Sequence, residues 1–292
     1  MALNYDFEIP VAIISIVVNT IGIIANCLSL SYFIKRENKG LPNRLFMLLN
    51  SCDLAVCLVY DLHMIALLNL RLRSIYETPD YFMIFESIFY LFFDCTGFAT
   101  CLISVTRTIK VCRPFYSIKG AWISVSFLFF FLCSFGREFT YRYLMAIFSP
   151  EDQDAVIKYH QLTVPLGITI NVIAVFISTI VAAYWLLKKS TISSNNSANS
   201  RYATVTIITL STVFCCLNAT FITIYGIMLC VTLGPIQWTE TWNVFLVILF
   251  PMIMYLNSAI NPTIYLARKE EMRRHVSETW QNLKKFMTCF RD

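Results

Sequence analysis

Asp53 lies about nine residues into an apolar stretch, in the run Leu49-Asn50-Ser51-Cys52-Asp53-Leu54. An acid at the centre of a membrane helix costs about 2.5–3.5 kcal/mol on insertion scales, so such a residue points to ion binding, proton handling or helix pairing. Other apolar stretches bring further polar groups: Asn26 in Gly22-Ile23-Ile24-Ala25-Asn26, and Asn257, Ser258 and Asn261 near the C-terminal end. Oxygen donors gathered around one buried acid could form a hydrated site for a hard cation. The same residues could equally form a hydrogen-bond network around a protonated Asp53 that only joins helices, and their positions leave both readings open.

The most specific run is Leu256-Asn257-Ser258-Ala259-Ile260-Asn261-Pro262-Thr263-Ile264-Tyr265. Pro262 removes one helical N–H and frees the carbonyl a turn earlier, so neighbouring polar groups must satisfy the break. A helix loosened in this way is a hinge candidate.

These residues need membrane helices to position them. Of the 292 residues, 57% are hydrophobic, 15% aromatic and only 14% charged, against roughly a quarter charged in an ordinary soluble domain. The apolar residues fall into seven stretches, each longer than the ~20 residues that span a ~30 Å hydrocarbon core. They run from about Ile9 to Ile34, Leu45 to Leu70, Tyr81 to Thr106, Ala121 to Phe148, Val156 to Leu187, Tyr202 to Leu233 and Trp242 to Leu266. The fourth ends its clean apolar core at Gly136 and continues through Arg137, Glu138 and Arg142, of which Glu138 and Arg142 have the spacing to pair along one face. Seven spans take roughly 175 residues and leave about 117 for all loops and tails. That excludes a soluble enzyme, a receptor with a large folded ectodomain and, despite the net charge of +5, a nucleic-acid binder.

Of the 23 Lys and Arg residues, 18 fall on the side reached after spans one, three, five and seven. The positive-inside rule therefore places the N-terminus outside and the C-terminus in the cytosol. The first span is too long for a signal-peptide core and follows polar Asn4 to Glu8, so no cleavable signal is expected. The chain has 11 Cys, yet the expected outer stretches Arg71–Tyr90 and Glu138–His160 contain none, so no disulfide between outer loops is expected. The sequon Asn195-Asn196-Ser197 falls on the cytosolic side and is expected to remain unglycosylated.

Asn26 in span one, Leu49-Asn50-Ser51-Cys52-Asp53-Leu54 in span two, Arg107 closing span three with Pro114-Phe115 soon after, and Asn261-Pro262-Thr263-Ile264-Tyr265 in span seven occur in that order. The pattern resembles the rhodopsin-like G protein-coupled receptors over about residues 10 to 285. Thr106-Arg107-Thr108 and Val111-Cys112-Arg113-Pro114-Phe115-Tyr116 are similar to divergent invertebrate orphan, chemosensory or peptide receptors.

The resemblance implies an all-α bundle of seven transmembrane helices with a short amphipathic cytosolic eighth helix. Residues 1–8 would be an extracellular N-terminus, 9–266 the receptor domain, and 267–292 the amphipathic helix and tail. It implies that Arg107, Asn261, Pro262 and Tyr265 carry activation and coupling to a heterotrimeric G protein. It also implies a possible allosteric sodium site at Asp53, Thr96, Asn257, Ser258 and Asn261. Thr96 stands eleven residues before Arg107, within about 20° of the same helical face, which favours the cation reading.

Several positions depart from the family. Thr106 replaces the acid that usually precedes the Arg, so the ionic restraint on Arg107 is missing and raised basal signalling is expected. Phe214-Cys215-Cys216-Leu217-Asn218-Ala219-Thr220 contains neither the usual Trp nor the usual Pro, and Ile173 falls where a Tyr usually stands.

Glu86, Phe89, Tyr90 and Phe93 form one stripe on span three. With Tyr60, His63, Arg142 and Tyr255 they are the candidate pocket, suited to a short peptide or a small polar, chemosensory molecule. Phe89 occupies the position of the amine receptors' Asp, and Asp94 lies about 140° off that face, so a monoamine is not expected. No Lys occurs between Lys189 and Lys269, which excludes a retinal Schiff base in span seven.

After Leu266, Met272, Val276, Trp280, Leu283 and Met287 recur at helical spacing while Arg273, Arg274, Lys284 and Lys285 lie off the stripe. That pattern fits an amphipathic helix on an anionic inner leaflet, with Cys289 a lipidation candidate. The alternative function is an ion-coupled transporter or channel, which would also bury acids such as Asp53, Asp61 and Asp94. The three histidines, His63, His160 and His275, are scattered and no metalloprotease motif occurs, so enzymatic activity is not expected.

Overall fold

A computed structural model of the chain describes residues 8–35, 40–72, 81–113, 115–190, 205, 208–220, 222–223, 226, 256–264, 266 and 270–289. The helices are α1 (Glu8–Lys35), α2 (Leu41–Leu72), α3 (Tyr81–Cys112), α4 (Gly120–Ile147) and α5 (Pro150–Ser190). They are followed by α6 (Ile208–Thr220), α7 (256–264) and α8 (Glu270–Cys289). Helices α1 to α5 are each long and apolar enough to cross a membrane. The described chain is thus a helical, membrane-embedded protein. Helices are the natural solution there, because each satisfies its own backbone hydrogen bonds where no water can.

The first five expected spans fall within these helices to within a few residues. Of the sixth and seventh, only the stretches in α6 and α7 are described, and neither is by itself long enough to span. Tyr255, Tyr265, Pro114 and the sequon lie outside the described residues, as does the side chain of Cys289.

Burial in α1 follows a strict pattern. Ala12, Ser15, Asn19, Gly22, Asn26, Ser29 and Phe33 are all buried, at alternating intervals of three and four residues. Ile13, Ile14, Val17, Ile21 and Ile24 are exposed on the opposite side. The polarity is inverted relative to a soluble protein: small and polar groups face inward, where they permit close approach, and branched apolar groups face outward. Gly22 marks the tightest point, since a Cβ there would lie 2.9 Å from the Ala259 Cβ and 3.2 Å from the Cys57 Sγ. The absent side chain lets α1 touch α2 and α7 together.

α3 is central, packing against α2, α4 and α5, whereas α1 packs on α2 and α8. One apolar core joins Tyr60, Phe89, Phe93, Val164 and Ile168. A second lies toward the end where α1 finishes and α2 begins, here termed the basic end, and joins Phe33, Leu45, Leu49, Ile103, Leu210 and Met272. α4 is peripheral, with Trp122, Leu128, Phe129, Leu132 and Phe139 exposed.

The stretch Glu138–His160 runs from α4 into α5. It is helical apart from Phe148 and Ser149, and Glu138 and His160 are both buried. Two features make so short a corner stable. Pro150 opens α5 at the first helical position, where its missing N–H costs nothing. The Gln153 amide donates to the Met145 carbonyl at 3.0 Å and the Phe148 carbonyl at 3.3 Å, capping the end of α4 from the next helix.

A branched side chain at Gly22 should therefore wedge α1 from α7. Gly22→Val is expected to lower stability by about 1–3 kcal/mol, the usual cost of overpacking. Thermal unfolding in detergent would check this, with Gly136→Ala as control because no neighbouring atom lies within 4 Å of a Cβ at Gly136.

Candidate functional site

Pro262 has no N–H, so the Ser258 carbonyl one turn earlier loses its helical partner. The Asn26 side chain replaces it, with Nδ2 3.2 Å from the Ser258 oxygen and 3.0 Å from the Gly22 oxygen of its own helix. This is the compensation that the proline requires, supplied across the contact that Gly22 permits. It also fixes the neighbouring Asn257, Ser258 and Asn261, all of which are buried.

Asn261 Nδ2 donates to Asp53 Oδ2 at 2.7 Å, and Asp53 is fully buried. The Ser258 and Thr96 hydroxyls face the same carboxylate without closing a hydrogen bond on it, and Asp53 Oδ1 also makes none. Three oxygens without hydrogen-bond partners among the described residues thus surround one point between α2, α3 and α7. A carboxylate with two hydroxyls suits a small hard cation or ordered water. Asn257 is buried nearby, but its amide atoms make no hydrogen bond among the described residues. Among those residues no three His, Cys, Asp or Glu side chains gather to hold a metal ion, so the donor set here is mostly neutral oxygen.

The pocket candidates divide. Tyr60, Phe89 and Phe93 come together, with Tyr60 and Phe93 ring centroids 5.5 and 6.0 Å from that of Phe89. They are packed into the core with Val164 and Ile168. His63 meets Phe85 edge-on at 6.3 Å. Asp61 turns instead to α1, accepting from the Thr20 hydroxyl at 3.3 Å, so Asp61 and His63, two residues apart on α2, point in different directions. Glu86 is half exposed and stands 3.9 Å from an Arg142 Nη2, and Arg142 Nε donates to the Ser87 hydroxyl at 2.5 Å.

The expected Glu138–Arg142 pair is not formed. Glu138 instead accepts from Arg137 Nη2 at 2.7 Å and from its Nε at 3.1 Å. His160 Nε2 on α5 approaches both Glu138 oxygens, at 3.1 and 3.2 Å. Arg137 Nη2 also lies 2.7 Å from Asp94 Oδ2 on α3. Tyr141 stacks on the His160 ring at 3.9 Å, while Tyr90 meets it edge-on at 5.7 Å. A buried quartet of Asp94, Arg137, Glu138 and His160 therefore joins three helices, because Arg137 projects from α4 toward α3 and α5 while Arg142 points to the rim. The guanidinium lies against α5, where a Cβ at Gly167 would stand 3.7 Å from Arg137 Nη1, an ordinary contact. The signal in the sequence was adjacent opposite charges in span four and an unassigned acid in span three, which hydrocarbon forces to find partners.

At the basic end, Arg107 is half-buried and lines a crevice of about 10 Å³ with Ser104, Thr108, Ser178 and Ser211. The Ser104 and Ser211 hydroxyl oxygens are 2.6 Å apart, joining α3 to α6. The Thr108 hydroxyl lies 2.9 Å from the Ser104 carbonyl and 2.8 Å from the Ser178 carbonyl on α5, sharing its proton between them. Hydroxyl contacts thus hold the helices around Arg107.

α8 docks through polar contacts as well as Met272. The Tyr32 hydroxyl donates to Glu271 Oε2 at 2.8 Å. Ser31 donates to the Leu28 carbonyl at 2.8 Å, leaving its oxygen to accept from His275 Nε2 at 3.0 Å. Burial, with Lys35 nearby, holds the His275 pKa below its ordinary 6.5. The docked helix therefore favours neutral His275, and its stability is full above that value and falls as the pH drops below it.

Two outcomes follow. Arg137→Met takes the ionic partner from buried Asp94 and leaves Glu138 with His160 alone, and it is expected to cost about 3–5 kcal/mol in thermal unfolding, as when one partner of a buried pair is removed. Acidification below the ordinary histidine pKa of 6.5 should speed hydrogen exchange at the start of α8, and His275→Gln should flatten that dependence.

No protein-family model matches this chain, and no curated protein matches it.

Proposed function

We propose that the chain is a rhodopsin-like G protein-coupled receptor with seven transmembrane helices. It sits in the plasma membrane, N-terminus outside and C-terminus cytosolic, with α8 on the inner leaflet. Its task is to pass the arrival of a short peptide or small polar, chemosensory molecule to a heterotrimeric G protein.

The observation that carries this reading is the convergence of Asn26, Asp53, Thr96, Ser258 and Asn261 from four helices on one buried centre. Three of the separated motifs, each weak alone, contribute to this centre through Asn26, Asp53 and Asn261, where a movement of α7 about Pro262 would alter all three. A sodium ion at that centre would be held by Asp53, Thr96 and Ser258, with Asn261 anchoring Asp53, and would supply the positive charge that the acid lacks. Charge lost from Asp53 would weaken the link between outer ligand and inner rim. Arg107, in its crevice between α3, α5 and α6, is the residue that would face the G protein.

An ion-coupled transporter or channel is the second reading, favoured by the burial of Asp61 and Asp94 as well as Asp53. Agonist-dependent G protein recruitment supports the receptor, whereas ion current or solute uptake in the same cells supports the alternative.

A ligand screen in cells carrying several chimeric G proteins tests the proposal. Arg107→Ala should abolish the response, and Asp53→Asn should reduce ligand potency about tenfold, within the usual range of coupling between sites. Uptake or current without G protein recruitment would overturn the receptor reading. Without ligand, second-messenger output from the native chain should exceed that of Arg107→Ala. Ser211→Ala, which removes the hydroxyl tie from α3 to α6, should raise it further. Equal baselines for the native chain and Arg107→Ala would refute raised basal signalling.

A further inference from the structure

Between α2 and α4, at the basic end, runs a groove of about 420 Å³. Its walls are apolar, formed by Leu45 and Leu48 on one side and Ile123, Phe127 and Phe131 on the other, while Arg44 stands at its mouth. Gly120 begins α4 beside Arg44, and open space surrounds the position of a Cβ there. The Lys119 side chain makes no hydrogen bond to the first turn of α4, and the Trp122 N–H turns back to the Lys119 carbonyl at 3.1 Å, so the N–H groups of Gly120 and Ala121 open the helix at the mouth. From Gly120 to Phe131 the groove extends about 16 Å along the helix, roughly half of the ~30 Å hydrocarbon core. It therefore has the depth of one leaflet, an apolar interior and a positive rim.

We propose that this groove binds one anionic phospholipid drawn from the surrounding bilayer. An acyl chain lies along Ile123, Phe127 and Phe131, and the phosphate sits between Arg44 and the opening amides of α4. Charge complementarity selects this occupant, because a guanidinium and a helix N-terminus both favour an anion. Basic pockets between membrane helices recognise headgroups on the same principle. Exposed Trp122, two residues into α4, is suited to the headgroup level. The bound lipid would brace α4, the most exposed of the long helices, against α2. The inference rests on membrane embedding and not on the receptor reading.

Native mass spectrometry of the purified full chain, exchanged into equimolar dioleoyl phosphatidylserine and dioleoyl phosphatidylcholine, provides the test. The serine lipid should be retained about fivefold over the choline lipid, the factor one basic residue supplies near an anionic surface. Arg44→Gln should bring the two to parity, and Ser124→Phe, which fills the groove wall, should remove both. Arg113→Gln, at the same end but outside the groove, should leave the preference intact. Parity in the native chain, an equal loss in Arg113→Gln, or retention of cholesterol in place of either phospholipid would overturn the proposal. Should Ser124→Phe fail to fold, the comparison of Arg44→Gln with Arg113→Gln decides alone, since both replace residues on the exposed surface.

Discussion

A carbonyl without an amide organises one side of this bundle. In water the Ser258 oxygen, orphaned by Pro262, would be hydrated at little cost. In hydrocarbon it must be met by another part of the chain, and Asn26 is the group that meets it. That single bond requires α1 and α7 to lie nearly in contact, which in turn requires the bare Cα of Gly22. Once α7 is held there, Asn261 falls within reach of Asp53, and the polar centre follows from the position of the proline.

The same rule operates elsewhere with different chemistry. The quartet of Asp94, Arg137, Glu138 and His160 holds three helices through charge, whereas Ser104, Thr108, Ser178 and Ser211 hold the basic end through hydroxyls. The two arrangements differ in what release costs. A hydroxyl contact contributes about 1 kcal/mol net, while separating buried ions costs several times as much. The helices around Arg107 are therefore the cheaper ones to part, and those around Arg137 resist. The cost of separating helices thus differs between the two ends with the choice of polar group.

Much of this was legible in the sequence because hydrocarbon makes a polar residue conspicuous. Asp53, Asn26 and Asn261 stood out from their apolar surroundings, and Pro262 indicated both the break and the need for a partner. The first five helices followed from length and hydropathy alone. What remained hidden was direction around the helix axis. Glu138 has suitable spacing to Arg142, but adjacent Arg137 can reach the same carboxylate by folding back. His160 becomes its second partner only because no more than two residues separate α4 from α5. Neighbours across helices depend on rotation and crossing, which local periodicity does not determine. His275 escaped notice for a related reason: on a helix that looks made for a lipid surface, its contact with Ser31 is a tertiary one.

The corner at Phe148 and Ser149 has a consequence for ancestry. One residue added beyond that corner, in the helical stretch between Pro150 and His160, would turn His160 by about 100° about the axis of α5, carrying it away from Glu138. Drift in overall composition can erase likeness between distant cousins, yet the helical turns from Pro150 to His160 must keep their length while the quartet persists. The interval of 22 residues between Glu138 and His160, with an Arg immediately before the acid, is thus a birthmark by which unrecognised kin could be traced.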